Sequence, residues 1–320
     1  MRKKSLTLQQ ILRVKKKQQA HLHPETSNTS LCDGLVITCY GQYAEIEDSQ
    51  QQRMQCSINP ELNPIVAGDR IVWKREGTDC GVIISQYPRQ SVLARTNKHG
   101  ESKVIAANIT QLCVVVASQP RLSWLLLDSY LIMAELLNLD ASIIVNKSDL
   151  DISAYRKPLE TIYAVLNYPV ILTQTIDTTA YLDELQHTLH HHTNIFVGQS
   201  GVGKSSLIKR LLPHEQSIAT GALSEHTAQG CHTTSRTTLY HLACGGALID
   251  SPGIRSFDLS QLKPRDIAWG FREFQPWLHQ CKFRDCKHVN TKGCAILDAV
   301  NKGHISHQRH ENYVKINAQL

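Results

Sequence analysis

The chain has 320 residues, 42% of them apolar and 19% charged, with a formal charge of +6. That length exceeds one ordinary domain and predicts two or three. No run of 18 apolar residues occurs and no apolar segment follows the basic N-terminus, which excludes a membrane-spanning helix and a secretory signal. A cytoplasmic protein is expected, so its ten cysteines are not read as disulfides.

Residues 1–30 read as a basic tail. Its first 20 residues hold Arg2, Lys3, Lys4, Arg13, Lys15, Lys16 and Lys17 and no acid. Such a block suits either a solvated tail or an arm that seeks polyanions by counterion release. The apolar face offered by Leu6, Leu8, Ile11, Leu12 and Val14 is too short and weak for a membrane surface.

Residues 31–95 alternate in short segments (Leu35–Tyr40, Tyr43–Ile46, Arg70–Lys74, Gly81–Ile84) separated by Gly, Asn, Pro and Asp. Four or five such strands predict a small β-barrel, with an OB-fold leading. Over residues 96–275 the rhythm changes. From Gln111, apolar strands (112–117, 142–145, 170–172, 194–197, 247–249) alternate with helical patterns (125–139, 154–166, 181–190, 204–212). That predicts a parallel α/β sheet covered on both faces. Residues 276–320 are polar and rich in Cys and His, too few for a large core, so something other than hydrophobic burial is expected to hold them.

Three motifs fall at strand ends. Gly198-Gln199-Ser200-Gly201-Val202-Gly203-Lys204-Ser205, followed by Ser206, leaves an apolar strand and opens a helix, the context of a phosphate-binding loop. Backbone N–H groups would close round the β-phosphate, Lys204 would reach the β- and γ-phosphates, and Ser205 would hold Mg²⁺. Asn146-Lys147-Ser148-Asp149 selects the base: Asp149 can accept from both N1–H and the exocyclic amine of guanine, while Asn146 and Lys147 brace the base and the loop. Adenine lacks that donor pair and would leave the acid unpaired, at about 1–3 kcal/mol. Asp250-Ser251-Pro252-Gly253 suits an Mg²⁺-holding Asp250 and a Gly253 N–H that senses the γ-phosphate. Between these lies a Gly/Thr/Ser/His segment with His232-Thr233-Thr234, where Thr234, preferred over Thr233, can close over Mg²⁺. Thr173-Gln174 is a candidate for the far side of the base. The guanine motif precedes the phosphate loop, the reverse of ordinary small GTPases. That order predicts a circular permutation.

Cys281, Cys286, His288 and Cys294 are spaced by four, one and five residues. Three thiols and an imidazole make a closed tetrahedral set of the structural zinc type, one ion per chain. A second cluster (His187, His190, His191, His192) ends a predicted helix, where His is comfortable without metal.

These features resemble the ribosome small-subunit-dependent GTPase A family, the RsgA-type circularly permuted GTPases. The resemblance spans the chain from about residue 31. It rests on Pro88-Arg89, Leu93-Ala94-Arg95, the motifs at 146, 198 and 250, GCHTTSRTTLYHL at 230 and the Cys/His cluster at 281. Asp128-Ser129-Tyr130 stands where Asp-Arg-Tyr is usual, and Ser235 follows the paired threonines where Thr is usual.

The resemblance implies an OB domain, a central GTPase and a zinc domain that dock on the small ribosomal subunit and its rRNA late in maturation. It implies GTP hydrolysis with Mg²⁺, stimulated by that subunit, in a monomer with no membrane partner. Ile254 follows Gly253 where many small GTPases carry a water-orienting Gln, so His232 becomes the internal candidate for that task. The alternatives are a nucleotide-gated structural rRNA-binding protein with little turnover, and a GTPase acting at a membrane.

Overall fold

The computed structural model describes residues 31–96, 102–174, 179–214, 236–251 and 262–319. Five strands form the N-terminal barrel: β1 (Leu31–Tyr40), β2 (Tyr43–Asp48), β3 (Arg53–Ile58), β4 (Arg70–Arg75) and β5 (Cys80–Gln86). They run in the order β1-β2-β3-β5-β4, and β4 returns to pair with β1. The β3–β5 pair is parallel and the others are antiparallel, which is the OB arrangement. Period-two alternation turns Val36, Ile46, Ile71, Trp73 and Ile83 inward. The apolar pattern did not single out β3, because its inward residues are Met54 and Cys56 between polar neighbours.

A hairpin of β6 (Val92–Thr96) and β7 (Ser102–Ala107) follows the barrel. Gly68, at φ +87°, backs onto the Ala107 carbonyl where a Cβ would collide. Arg89 grips the fully buried Asp69 carboxylate at 2.7 Å, fixing the exit of the chain from the barrel.

The central sheet contains β8 (Gln111–Val116), β9 (Asp140–Val145), β10 (Val170–Leu172), β11 (Thr193–Val197), β12 (Thr238–His241) and β13 (Ala247–Asp250). Its order is β10-β9-β8-β11-β13-β12, all parallel except β12. Every residue of β8 is buried, as a central strand covered on both faces requires.

On one face lie α1 (Trp124–Leu136) and α2 (Ser153–Pro158), the latter running on through a π turn at Leu159–Tyr163. On the other lie α3 (Thr179–Leu189) and α4 (Lys204–Leu211). Ser123 caps α1 by accepting from Leu126 N–H at 3.3 Å. The barrel joins this sheet through β1 and β12: Thr38 pairs with Thr238, and its hydroxyl donates to Thr237 O at 3.0 Å.

The C-terminal region corrects one expectation. It adds α5 (Pro264–Trp269), α6 (Ala295–Asn301) and α7 (His307–Asn317), and it does bury an apolar core. Phe271, Phe274, Ile296, Val300, Tyr313 and Ile316 pack together, and α1 contributes Ile132. The polar composition hid this because the module shares its core with a helix about 150 residues earlier. Among the described residues, no helix is long and apolar enough to cross a membrane.

Candidate functional site

The carboxyl ends of β8, β9, β10, β11 and β13 meet at one edge of the sheet, the usual ligand-binding edge of an open α/β fold. The loop after β11 needs its glycines. Gly198, Gly201 and Gly203 have φ of +141°, +83° and +97°, a region that L side chains avoid. A Cβ at Gly198 would collide with the Val115 carbonyl, and one at Gly203 with the Asn146 side-chain amide. Val202 is buried, while Ser200 is exposed. Lys204 opens α4 and its Nζ donates to Gly198 O and Gln199 O, both at 2.7 Å. Ser205 is half-buried and Ser206 exposed, both in the first turn of that helix.

The 146–149 segment is locked to this loop. Asn146 is fully buried, and its Nδ2 donates to Val202 O at 2.9 Å while its Oδ1 accepts from Thr173 Oγ at 3.2 Å. Lys147 sits at φ +59°, and its Nζ reaches Gly201 O at 2.7 Å and Gln119 O at 2.8 Å. Ser148 N–H donates to Thr173 O at 3.0 Å. Asp149 stands exposed at the end of this braced turn, free to accept from a base edge.

Thr173 is therefore a brace beneath the motif, and Gln174 offers its carbonyl to Arg210 at 3.0 Å. The side chain of Thr173 is only 2% exposed, which sequence alone does not reveal.

Asp250 closes β13, the strand beside β11. Burial pushes its carboxyl above the usual carboxylate range, and it has no ion-pair partner among the described residues. A half-buried carboxylate at the end of a sheet strand, with no ion-pair partner, fits a hard cation such as Mg²⁺, which prefers oxygen donors. Next to it, Ser251 and Thr237 hydroxyls lie 3.3 Å apart, bringing together the described residues that border 215–235 and 252–261. His232, Thr233, Thr234 and Gly253 lie outside the described residues.

The four C-terminal donors do converge. The ligand atoms of Cys281, Cys286, His288 and Cys294 lie within 4.8 Å of one another. Cys281 Sγ is 3.9 Å from Cys294 Sγ, and His288 Nδ1 is 3.4 Å and 3.5 Å from those two sulfurs. A tetrahedral ion with Zn–S of about 2.3 Å and Zn–N of about 2.0–2.1 Å sets those edges near ~3.8 Å and ~3.5 Å, so the residues fit a metal ion. Burial, and then the neighbouring thiols, push Cys294 up to about 12, a crowding that a dication would relieve. Burial also lowers His288, keeping the imidazole in its neutral, metal-binding form. Outside the site, His310 approaches His288 O at 2.8 Å and Tyr313 OH donates to Lys287 O at 2.9 Å, fixing the loop.

The other histidines are engaged differently. His190 pairs with the Cys244 carbonyl and His192 with Thr110 Oγ at 3.1 Å, and this group forms no three-ligand cluster among the described residues.

Comparison with known proteins agrees with this geometry. The family model described as RsgA GTPase matches residues 86–260. A relative from Vibrio parahaemolyticus, named small ribosomal subunit biogenesis GTPase RsgA 1, is 40% identical over 98% of this chain and 94% of its own length. One from Hahella chejuensis with the corresponding name is 39% identical over 100% of this chain and 97% of its own. The crystal structure of YjeQ from Thermotoga maritima superposes with a TM-score of 0.74 at 29% identity, covering 91% of this chain and 99% of that one. YloQ, described as a circularly permuted GTPase, shares the fold with a TM-score of 0.72 over 93% of this chain and 97% of its own. On motif order, geometry and these matches together, the chain belongs to the RsgA GTPase family and is a circularly permuted, GTP-hydrolysing enzyme.

Proposed function

We propose that this enzyme uses one GTP as a timer in the maturation of the small ribosomal subunit, docking on its rRNA and leaving after hydrolysis. The observation that carries the site reading is the fastening of the guanine motif to the phosphate loop through Asn146–Val202 at 2.9 Å and Lys147–Gly201 at 2.7 Å. In this reading Asp149 reads the base, and the loop 198–205 holds the phosphates. Lys204 shifts from the loop carbonyls to the β- and γ-phosphates, and the Gly253 N–H senses the γ-phosphate. Bound Mg²⁺ would neutralise charge gathering on the phosphates, and Ser205, Asp250 and Thr234 are the residues that would hold it. Water attacks the γ-phosphorus in line as the bond to the β–γ bridging oxygen breaks, giving GDP and phosphate.

Ile254 offers no polar group to that water, so His232 is assigned to orient it when the subunit is bound. The ribosomal partner is supported by the names of the relatives and by seven cations with no acid in residues 1–20. The Cys281, Cys286, His288, Cys294 set is assigned one structural zinc, since all four positions are filled by protein. The chain is taken as a monomer acting in the cytoplasm.

Co-sedimentation of the full chain with purified small subunits tests the reading. More protein should pellet with a non-hydrolysable GTP analogue than with GDP. Equal pelleting in both removes the timer.

A further inference from the structure

Helix α4 does more than present Lys204 to the 198–205 loop. Its residues Leu207, Ile208 and Leu211 are buried in the same core cluster as Ile171 of β10. The last turn of the helix carries two cations, Lys209 and Arg210, and either suits the negative end of the helix dipole. Lys209 is exposed, as such a cation normally is, whereas Arg210 is half-buried and crosses to another segment. Its Nη1 donates to the carbonyl of Gln174 at 3.0 Å.

Gln174 follows directly on the brace beneath the 146–149 motif. Thr173 donates its hydroxyl to Asn146 Oδ1 at 3.2 Å, and its carbonyl accepts from Ser148 N–H at 3.0 Å. Its own N–H donates at 2.8 Å to the carbonyl of Val145, the last residue of β9. The backbone at Gln174 is thus held to 146–149 through Thr173 and to α4 through Arg210. Asn146–Val202 and Lys147–Gly201 tie the motif to the loop ahead of α4. Arg210 adds a second tie near the other end of that helix, about 9 Å along its axis from Lys204.

We propose that Arg210 is a positioning residue for the base side of the nucleotide site, acting through the Gln174 carbonyl. A nucleotide must meet its base-reading and phosphate-holding groups at one fixed separation. With the two halves fastened only at the loop, the end of β10 can tilt away from α4, and ordering it again on binding weakens affinity. A guanidinium suits this task, because a charge-assisted hydrogen bond to a carbonyl is stronger than a neutral one. The inference rests on the assignment of 146–149 to the base and of 198–205 to the phosphates.

The test uses the full-length protein and ligands that report the two halves of the site separately. GDP and GTP read base and phosphates together, whereas inorganic tripolyphosphate, competed against a fluorescent GDP, reads the phosphate half alone. Arg210→Met keeps the apolar stem and removes the donors. It should weaken GDP and GTP binding roughly 3- to 20-fold, the order for loss of one hydrogen bond from a charged group. The inhibition constant of tripolyphosphate should stay within about twofold of wild type. In hydrolysis the loss should fall on KM rather than kcat. Arg210→Lys keeps the helix charge and a donor, and should recover part of the affinity.

Wild-type nucleotide affinity in Arg210→Met overturns the proposal. Equal weakening of tripolyphosphate, or a loss confined to kcat, also overturns it, since either means that the 198–205 loop itself has moved. Arg210→Ala serves in its place should Arg210→Met not fold. Asp149→Asn and Lys204→Ala separate the layers. If both bind GDP as wild type does, the assignment of the site fails; if both weaken binding beside an unaffected Arg210→Met, Arg210 alone is removed.

Discussion

Arg309 on α7 and Asp128 on α1 form an ion pair of 2.5 Å with both side chains fully buried, joining helices 181 positions apart in the chain. Desolvating two charges is costly, and the pair persists because every oxygen and most N–H groups have further partners in Tyr163, Asn312 and Glu273. Removing one member should therefore cost much more than a surface ion pair would.

Arg309→Met leaves Asp128 buried without its counter-charge and should destabilise the chain by about 3–5 kcal/mol. The effect should depend on pH with a definite sign. Burial already raises the Asp128 carboxyl above its ordinary value, and removal of Arg309 raises it further. An acid whose folded-state pKa is raised binds its proton more tightly folded than unfolded, so stability falls as pH rises. Denaturant titrations should find the deficit largest at neutral pH and shrinking as pH drops through the raised value toward the unfolded one. The same deficit at both ends contradicts an uncompensated Asp128.

In the proposed site, base choice rests on Asp149. Asp149→Asn should weaken GTP affinity by one to two orders of magnitude, for about 1–3 kcal/mol of missing pairing. It should gain affinity for xanthosine triphosphate, whose ring carries an acceptor where the amide can donate. Nucleotide titrations measure both, and unchanged GTP binding would remove Asp149 from the base site.

Metal analysis should find one zinc per chain. Cys286→Ala should lose it and melt at a lower temperature, since metal binding there is linked to folding. Full zinc and a wild-type melt in that variant would mean the ion sits elsewhere.

Much of this was readable from contiguous residues. The loop 198–205 and the turn 146–149 each carry their chemistry in one short string at the end of an apolar strand, so their placement at one sheet edge followed. Thr173 was readable as a neighbour of the site but not as a brace for Asn146, because their hydrogen bond exists only once β9 and β10 pair. The strand β12, Thr238–His241, is four residues with two polar side chains and carries no period of its own. Helix α7 was hidden by chemistry: it buries Arg309 and Asn312, which no hydropathy pattern marks as core. Their burial depends on Asp128, an acid that the sequence shows as an interruption in an apolar stretch.

The basic arm should appear in the salt dependence of RNA binding. Deleting residues 2–17 removes seven cations. The slope of log K against log salt should then fall by roughly 0.7–0.9 for each phosphate those cations neutralise. An unaltered slope leaves the arm without a role in binding.

The most direct measurement is the rate of GTP hydrolysis by the full chain with and without purified small ribosomal subunits, for the wild type and for His232→Ala. In the proposed site the 198–205 loop holds the phosphates, and the sequence carries Ile254 after Gly253 in place of a water-orienting Gln, so the basal rate should be slow and the subunit should raise it strongly. His232→Ala should keep GTP affinity and basal rate and lose most of that stimulation. A wild-type rate that is the same with and without the subunit would contradict the account.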